Sequence, residues 1–422
     1  MDIKSEPGNQ NAVYRSDPFR WGILFLIVPI IVSSEIFWLT FAPIASYAQD
    51  YFHTSAQSID LFAMSYMLMY LIFTLPASWV IERFGYRASL IIGSLVTAVF
   101  GIARFAFAGS FTAVLAAQFL IAAAQPFLVN ISTKVPANWF PPAERSTASG
   151  ILVMAQYIGF IVPMIVSPWL AEQYDMRLLL GVYAAIALVS ALLAIFFTRE
   201  KPVTPPGPAA PAESMGLLSM GRLFLNRNFL YVLIISFISM GIFNTIITMI
   251  EQIFKPRDIS SADAGFIGAA FVISGIIGAV VLPLLSDKKH RRIPFFIIGI
   301  SLMGLLCAGL TFLTSYPLLL AVAALLGFLI MGLAPILFQH GAEVAYPVQE
   351  GASFGLIMLM GQISGVVMIY LFGRISLWTE SILWPMLFLI VLAAAQIPLV
   401  VRMKESPLFQ GNHLPVNPER RA

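Results

Sequence analysis

The sequence predicts an all-α polytopic membrane protein, with twelve transmembrane helices in two pseudo-symmetric six-helix bundles. Three observations carry this. The 422-residue chain is 59% hydrophobic and only 11% charged, against roughly 25% charged in a soluble domain; a soluble fold could neither hide nor expose so many apolar residues. The apolar residues fall into twelve stretches of the length a bilayer requires, about 20 residues each. The two halves of the chain also repeat one another in register.

The stretches cover residues 20–47, 56–81, 88–108, 111–138, 147–170, 176–198, 228–254, 262–286, 292–314, 316–343, 350–374 and 380–402. They are continuous runs, so helices are expected and not a barrel of alternating strands. The first run is too long for the apolar core of a cleavable signal peptide. The single cysteine, Cys307, leaves no disulfide framework or Cys-based metal site within one chain. With the N-terminus in the cytoplasm, 19 of the 24 Lys and Arg residues fall on the inner side, and Arg104, Arg177, Lys255, Arg257 and Arg374 fall outside. Cytoplasmic loops carry such an excess. The expectation is a multi-pass protein of the plasma or inner cell membrane with both termini cytoplasmic. The net charge of +3 is spread over short loops and does not suggest a nucleic-acid partner.

Residues 199–216, rich in Pro, Ala and Gly, cannot span a membrane and read as a solvated linker. The expected organisation is a tail at 1–19, a bundle at 20–198, a linker at 199–227, a second bundle at 228–402 and a tail at 403–422. Pro141, Glu144, Thr147, Gln156 and Gly159 recur 206 positions later as Pro347, Glu350, Ser353, Gln362 and Gly365. Glu82, Arg83 and Arg87 recur 205 positions later as Asp287, Lys288 and Arg292. Two parallel six-helix repeats match the major facilitator architecture, which places its substrate between the halves near the midplane. The segment from Ser78 to Arg87 resembles that superfamily's cytoplasmic-loop signature, with Ser78 where Gly is usual. Glu82, Arg83, Arg87, Asp287 and Lys288 are therefore expected to form a cytoplasmic gate motif that breaks and reforms as the halves rock. The plain alternative is an ordinary basic inner loop.

Polar side chains within the spans are expensive in lipid and point to a cavity or to another polar group. Gln156 and Gln362 lie at equivalent depth in the fifth and eleventh spans, either at a central site or as glue between helices. Glu35 follows Arg20 by 15 residues, which at about 1.5 Å per residue puts it near mid-membrane. Trp38 lies one turn on, on nearly the same face. A carboxylate beside an indole suits an organic cation. It could equally carry a coupling proton, or be a buried acid with no part in transport. Asn244, Thr248 and Glu251 form one polar stripe on the seventh span, whose outer end is either a gate or solvated. Tyr66, Tyr70, Gln125, Asn130 and Glu343 are further cavity or gate candidates. Lys134 either snorkels to the headgroups or gates with Glu343, and His340 reads as structure. Gly265, Gly268, Gly275 and Gly278 permit close helix approach, at a rocking interface or in static packing.

Several stretches narrow the family. They are Ser58-Ile59-Asp60 with Tyr66, Met67 and Tyr70; Pro76-Ala77-Ser78-Trp79; Gln125-Pro126-Phe127 with Asn130 and Lys134; Trp139-Phe140-Pro141 with Glu144-Arg145; and Glu343 followed by Tyr346-Pro347 and Glu350-Gly351-Ala352-Ser353. Together they resemble the feline leukaemia virus subgroup C receptor-related transporters over both halves. The resemblance implies movement of choline or ethanolamine, with haem also proposed for relatives. It further implies an aromatic cage from a Trp of the first span and a Tyr of the seventh, flanked by two Gln residues. Trp38, Gln156 and Gln362 match these positions, and Asn244 replaces the Tyr, so half of the cage is missing.

The fourth span has Gln118 where proton-driven drug antiporters carry an Arg, and the fifth lacks their Gly-Pro-rich motif. No phosphate-binding Gly-Lys loop is present, and no nucleophile–base or metal motif suggests an enzyme, so no cofactor is expected. The reading is a monomeric carrier of a small polar organic molecule, with Glu35, Trp38, Gln156, Asn244 and Gln362 as substrate-binding residues and a proton as possible coupling ion. Alternatives are an exporter of haem or another organic anion, or a transport-dead receptor or sensor, against which the short tails argue.

Overall fold

The computed structural model describes residues 17–202, 223–345 and 350–405. Parts of the expected tails and linker, and Tyr346 and Pro347 of the family motif, lie outside the described residues. Among the described residues, twelve helices are long and apolar enough to cross a membrane: Arg20–Phe52, Ala56–Phe84, Tyr86–Ala106, Phe111–Trp139, Pro142–Gln173, Met176–Phe197, Arg227–Thr248, Ser261–Lys289, Ile293–Phe312, Tyr316–Ala345, Ser353–Thr379 and Leu383–Arg402. They are the first to twelfth spans. Inner and outer name the faces as the Lys and Arg distribution assigns them.

Short polar loops set the helix starts. Ser55, Ser110, Asp175 and Ser260 each accept a backbone N–H of the turn that follows, the usual service of an N-cap side chain. Gly85, at φ 88°, makes the sharp turn between the second and third spans, a conformation that glycine adopts without a steric penalty.

Two spans that read as single apolar runs are broken at their outer ends. The first runs as a helix over Arg20–Leu39, turns through Ala42–Ile44 and resumes over Ala45–Phe52. The seventh ends at Thr248 and resumes over Ile250–Phe254. Thr40 donates its hydroxyl to the Ile36 carbonyl and Thr245 to the Gly241 carbonyl, each at 2.8 Å. Such back-bonding bends helices, and Pro43 withholds an N–H in the first break. The two threonines sit 205 positions apart, so the repeat extends to the breaks.

The first six spans pack with one another, as do the last six. The halves touch through the fifth span against the eighth, the second against the eleventh, and the outer segments of the first and seventh. A Cβ on Gly265 would strike the Met164 carbonyl oxygen, and one on Gly268 would meet the Met164 sulfur. These two glycines therefore belong to the interface between halves. Gly275 and Gly278 instead face Met331 and Phe328 of the tenth span, which is packing within one half.

Inner-end contacts repeat as well. The Glu200 carboxylate accepts the N–H groups of Tyr86 and Arg87 at 3.2 and 2.8 Å. The Glu405 carboxylate accepts those of Arg292 and Ile293 at 2.9 and 3.2 Å. Each acid follows the last helix of its half and sits on a helix N-terminus, where unpaired N–H groups and the helix dipole favour negative charge.

Arg104, counted from sequence on the outer side and within the stretch 88–108, lies fully buried in the last turn of the third span, its guanidinium 5.0 and 5.1 Å from the Phe37 and Phe41 ring centroids. Stacking on aromatic faces suits a weakly hydrated guanidinium.

Candidate functional site

Glu35 and Trp38 project from the first span towards the middle of the N-terminal half. Glu35 is fully buried, and the Gln125 amide Nε2 of the fourth span donates to both carboxylate oxygens at 3.0 and 3.3 Å. Gly159 of the fifth span lets the two backbones meet, since a Cβ there would strike Glu35 Cβ and the Val32 carbonyl. The Trp38 indole stacks on Tyr66 at 6.4 Å and meets Phe160 edge-on at 5.1 Å. Tyr66 is fixed in turn by donating its hydroxyl to the Ser34 carbonyl at 2.8 Å.

Two glutamines look onto the interface between halves. An α-helix advances by about 100° per residue. On the fifth span, Gly159 faces the first span and Met164 faces the eighth; Gln156 lies angularly between them. On the eleventh, Gly365 faces Met67 and Asn244, and Gly373 faces Asp60; Gln362 shares that side. Both glutamines are half-buried, and no hydrogen bond to the described residues engages either side chain. Asn244 is buried and donates Nδ2 to the Gly361 carbonyl at 3.4 Å.

The outer end of this interface is shut. The buried Glu251 carboxylate accepts the Ser46 N–H at 2.9 Å and the Ser261 hydroxyl at 3.5 Å. Of the two readings open from sequence, gate or solvated, the solvated one is excluded by this burial. Gln252 donates Nε2 to Asp60 at 2.8 Å. Glu82 and Arg83 are exposed, and Gly150 and Gly355 on the inner turns of the fifth and eleventh spans have no neighbour within 4 Å of a Cβ position.

The remaining candidates lie apart from the centre. Tyr70 donates to Asn130 at 3.3 Å, and Asn130 donates to Thr74 and Ser78, a network that ties the second span to the fourth. Glu343 is not paired with Lys134 in this conformation, and Lys134 is exposed. Glu343 is paired with Arg292 at 2.6 Å, both side chains about 95% buried. Arg292 also reaches Asp287 at 3.2 Å; Asp287 and Lys288 are exposed, and Arg87 meets Glu200 through its backbone N–H alone. Gln118 clamps the Phe37 and Phe62 carbonyls at 3.0 and 3.1 Å. His340 is fully buried against Phe296.

Sequence reasoning missed Ser46 and Gln252 at the outer closure and used Asp60 only as a family marker. The shared offset of the Thr40 and Thr245 breaks was the available signal, because it aligns the outer segments of the two halves.

Comparisons agree with this architecture. A chain of Caenorhabditis elegans, described as an uncharacterized MFS-type transporter, is 31% identical over 375 residues, 84% of this chain; this chain spans 64% of that relative's length. The choline/ethanolamine transporter flvcr2a of Danio rerio is 27% identical over 377 residues, 84% of this chain and 80% of that one. The crystal structure of a bacterial homolog to the human lysosomal transporter Spinster, inward-facing and unoccupied, superposes with a TM-score of 0.71 at 16% identity, over 92% of this chain and 97% of that one. Residues 27–369 match the Major Facilitator Superfamily, and the chain belongs to that family.

Proposed function

We propose that the chain carries a small polar organic solute, an organic cation or amino alcohol of the choline and ethanolamine class, across the cell membrane. Transport proceeds by alternating access. The observation that carries this reading is the pair Gln156 and Gln362. Two amides at repeat-equivalent positions look onto one interface, and no neighbour among the described residues uses their donors and acceptors. Trp38 supplies an aromatic wall beside them, and Asn244 a further amide from the opposite half. The named function of relatives such as flvcr2a supports the solute class.

Glu35 acts in this reading through Gln125. Its carboxylate takes both contacts from the Gln125 Nε2 group, which turns the Gln125 carbonyl oxygen away and fixes it for a ligand N–H or O–H. Both halves of the site come from one chain, so a monomer suffices. The excess of Lys and Arg on one face supports cytoplasmic termini.

The test is counterflow of radiolabelled ethanolamine and choline in proteoliposomes. Exchange above protein-free vesicles is expected for the parent protein, and its loss for the Gln156→Ala, Gln362→Ala double variant. Absence of flux for both solutes with well-folded parent protein overturns the solute class. Saturable binding without flux would instead identify a sensor.

A further inference from the structure

At the closed outer end, a cavity about one water molecule in size crosses the interface between halves. Trp38, Ala63 and Asp60 line it from one half, and Thr248 and Gln252 from the other. Asp60 is buried, and among the described residues the one hydrogen bond to its carboxylate comes from the neutral Gln252 amide at 2.8 Å. Two buried polar atoms on the same cavity, Trp38 Nε1 and Thr248 Oγ1, have no partner among the described residues.

Among the described residues, no cation is paired with Asp60. The outer part of the first span brings no charged side chain to the cavity. From the seventh span, the neighbouring Glu251 carboxylate is engaged by Ser46 and Ser261. From the eleventh, Arg374 follows Gly373 but lays its guanidinium over the Trp378 ring at 5.3 Å. Enclosing an unpaired carboxylate costs several kcal/mol per ion. When the halves part at the outer face, Thr248 and Gln252 withdraw and the carboxylate meets external water.

We propose that Asp60, with Gln252, Thr248 and Trp38, is a proton-binding site filled from the outer aqueous phase, so that closing the outer gate takes up one proton. The carboxylate accepts H⁺ from external water and becomes a neutral acid. Its O–H then donates to one water that accepts the Trp38 N–H and donates to Thr248 Oγ1. Its other oxygen keeps the Gln252 bond. The site shares only Trp38 with the proposed solute site, using the indole N–H and not the ring face, and does not depend on which solute is carried.

The test uses spin labels at Gly109→Cys and Ser315→Cys, exposed on the outer loops of the two halves, with the buried Cys307 replaced by Ala. Distances are measured by electron–electron resonance in phospholipid nanodiscs from mildly alkaline to mildly acidic pH. In the parent protein, the ratio of closed to open pairs should rise as pH falls, by up to about tenfold per unit for one proton. Asp60→Asn, a permanently neutral analogue, should remain closed with no pH response. Thr248→Val should weaken the response, and Glu251→Gln should keep it. A pH-independent distribution in the parent overturns the proposal whether or not any variant folds. So does a parent-like response in Asp60→Asn.

Discussion

Glu251 offers a measurable handle on the outer closure. Its buried carboxylate takes the Ser46 N–H at 2.9 Å, and Ser46 lies in the first turn of the Ala45–Phe52 segment, where N–H groups have no intrahelical acceptor. A hydrogen bond to a charged group contributes about 1.5–3 kcal/mol. The bond joins the halves only when the outer face is closed. Glu251→Ala should therefore weaken closure by that amount, which multiplies the open fraction by about 10 to 150. The assay places a cysteine at Ala45, which is 2% exposed, and follows labelling by a membrane-impermeant thiol reagent from outside. If closure is the dominant state, the labelling rate tracks the open fraction and should rise by the same factor. Glu251→Gln keeps an acceptor oxygen and should show a smaller rise. A cysteine at the exposed Gly109 corrects for reagent access. An unchanged rate at Ala45→Cys, with unchanged thermal stability, refutes the view that Glu251 holds the halves together.

Other consequences are equally direct. Gly265→Val should shift the balance towards the outer-open state, because its Cβ would strike the Met164 carbonyl oxygen; overpacking of this kind costs about 1–3 kcal/mol, and the same thiol labelling reads it. Arg292→Met should remove the ion-pair partner of the buried Glu343, which keeps the Gln339 amide, a loss of about 3–5 kcal/mol visible as a lowered unfolding temperature, with partial recovery in the Arg292→Met, Glu343→Met pair. Glu35→Gln should weaken binding of ethanolamine while preserving the fold, since an amide can still accept from Gln125; unchanged affinity would leave Glu35 as a structural acid only.

What the sequence made legible follows from the physics of each feature. Apolar run length is a local property, and the second span begins at residue 56 both in the sequence reading and in the structure. The repeat is also legible, because matched positions such as Gln156 and Gln362 need only a constant offset. Partners across space are not. Gln125 and Glu35 were each visible as intramembrane polar residues, yet nothing in either helix's periodicity says that one turn of the fourth span meets one turn of the first. A gate with Glu343 is one of two readings that the sequence leaves open for Lys134, and nothing in the sequence marks Arg292 of the inner loop as the partner that Glu343 takes. Arg104 sits near a helix end, where burial and loop exposure differ by a turn or less, and only the Phe37 and Phe41 rings decide between them. Asp60 had no intrinsic mark of importance until Gln252 was seen opposite it.

The repeat supplies the two halves with equivalent scaffolds but unequal chemistry. The helix breaks after Thr40 and Thr245, the caps Glu200 and Glu405, and the glutamines 156 and 362 are matched. At mid-depth of the first span, however, stand Glu35 and Trp38, whereas the corresponding stretch of the seventh carries Met240, Phe243 and Asn244. The carboxylate and the indole that could favour a cation therefore belong to one half alone. A carrier gains from this inequality. If both halves held the solute by charge, each rocking step would separate two strong contacts at once. In the proposed site, where Glu35 acts through Gln125 and Trp38 through its ring, cation recognition would be confined to the N-terminal half, and the C-terminal half would part from the solute by breaking neutral amide contacts from Asn244 and Gln362. Changes at Trp38 should thus act mainly on affinity, and changes at Asn244 mainly on the rate of closure around a bound solute.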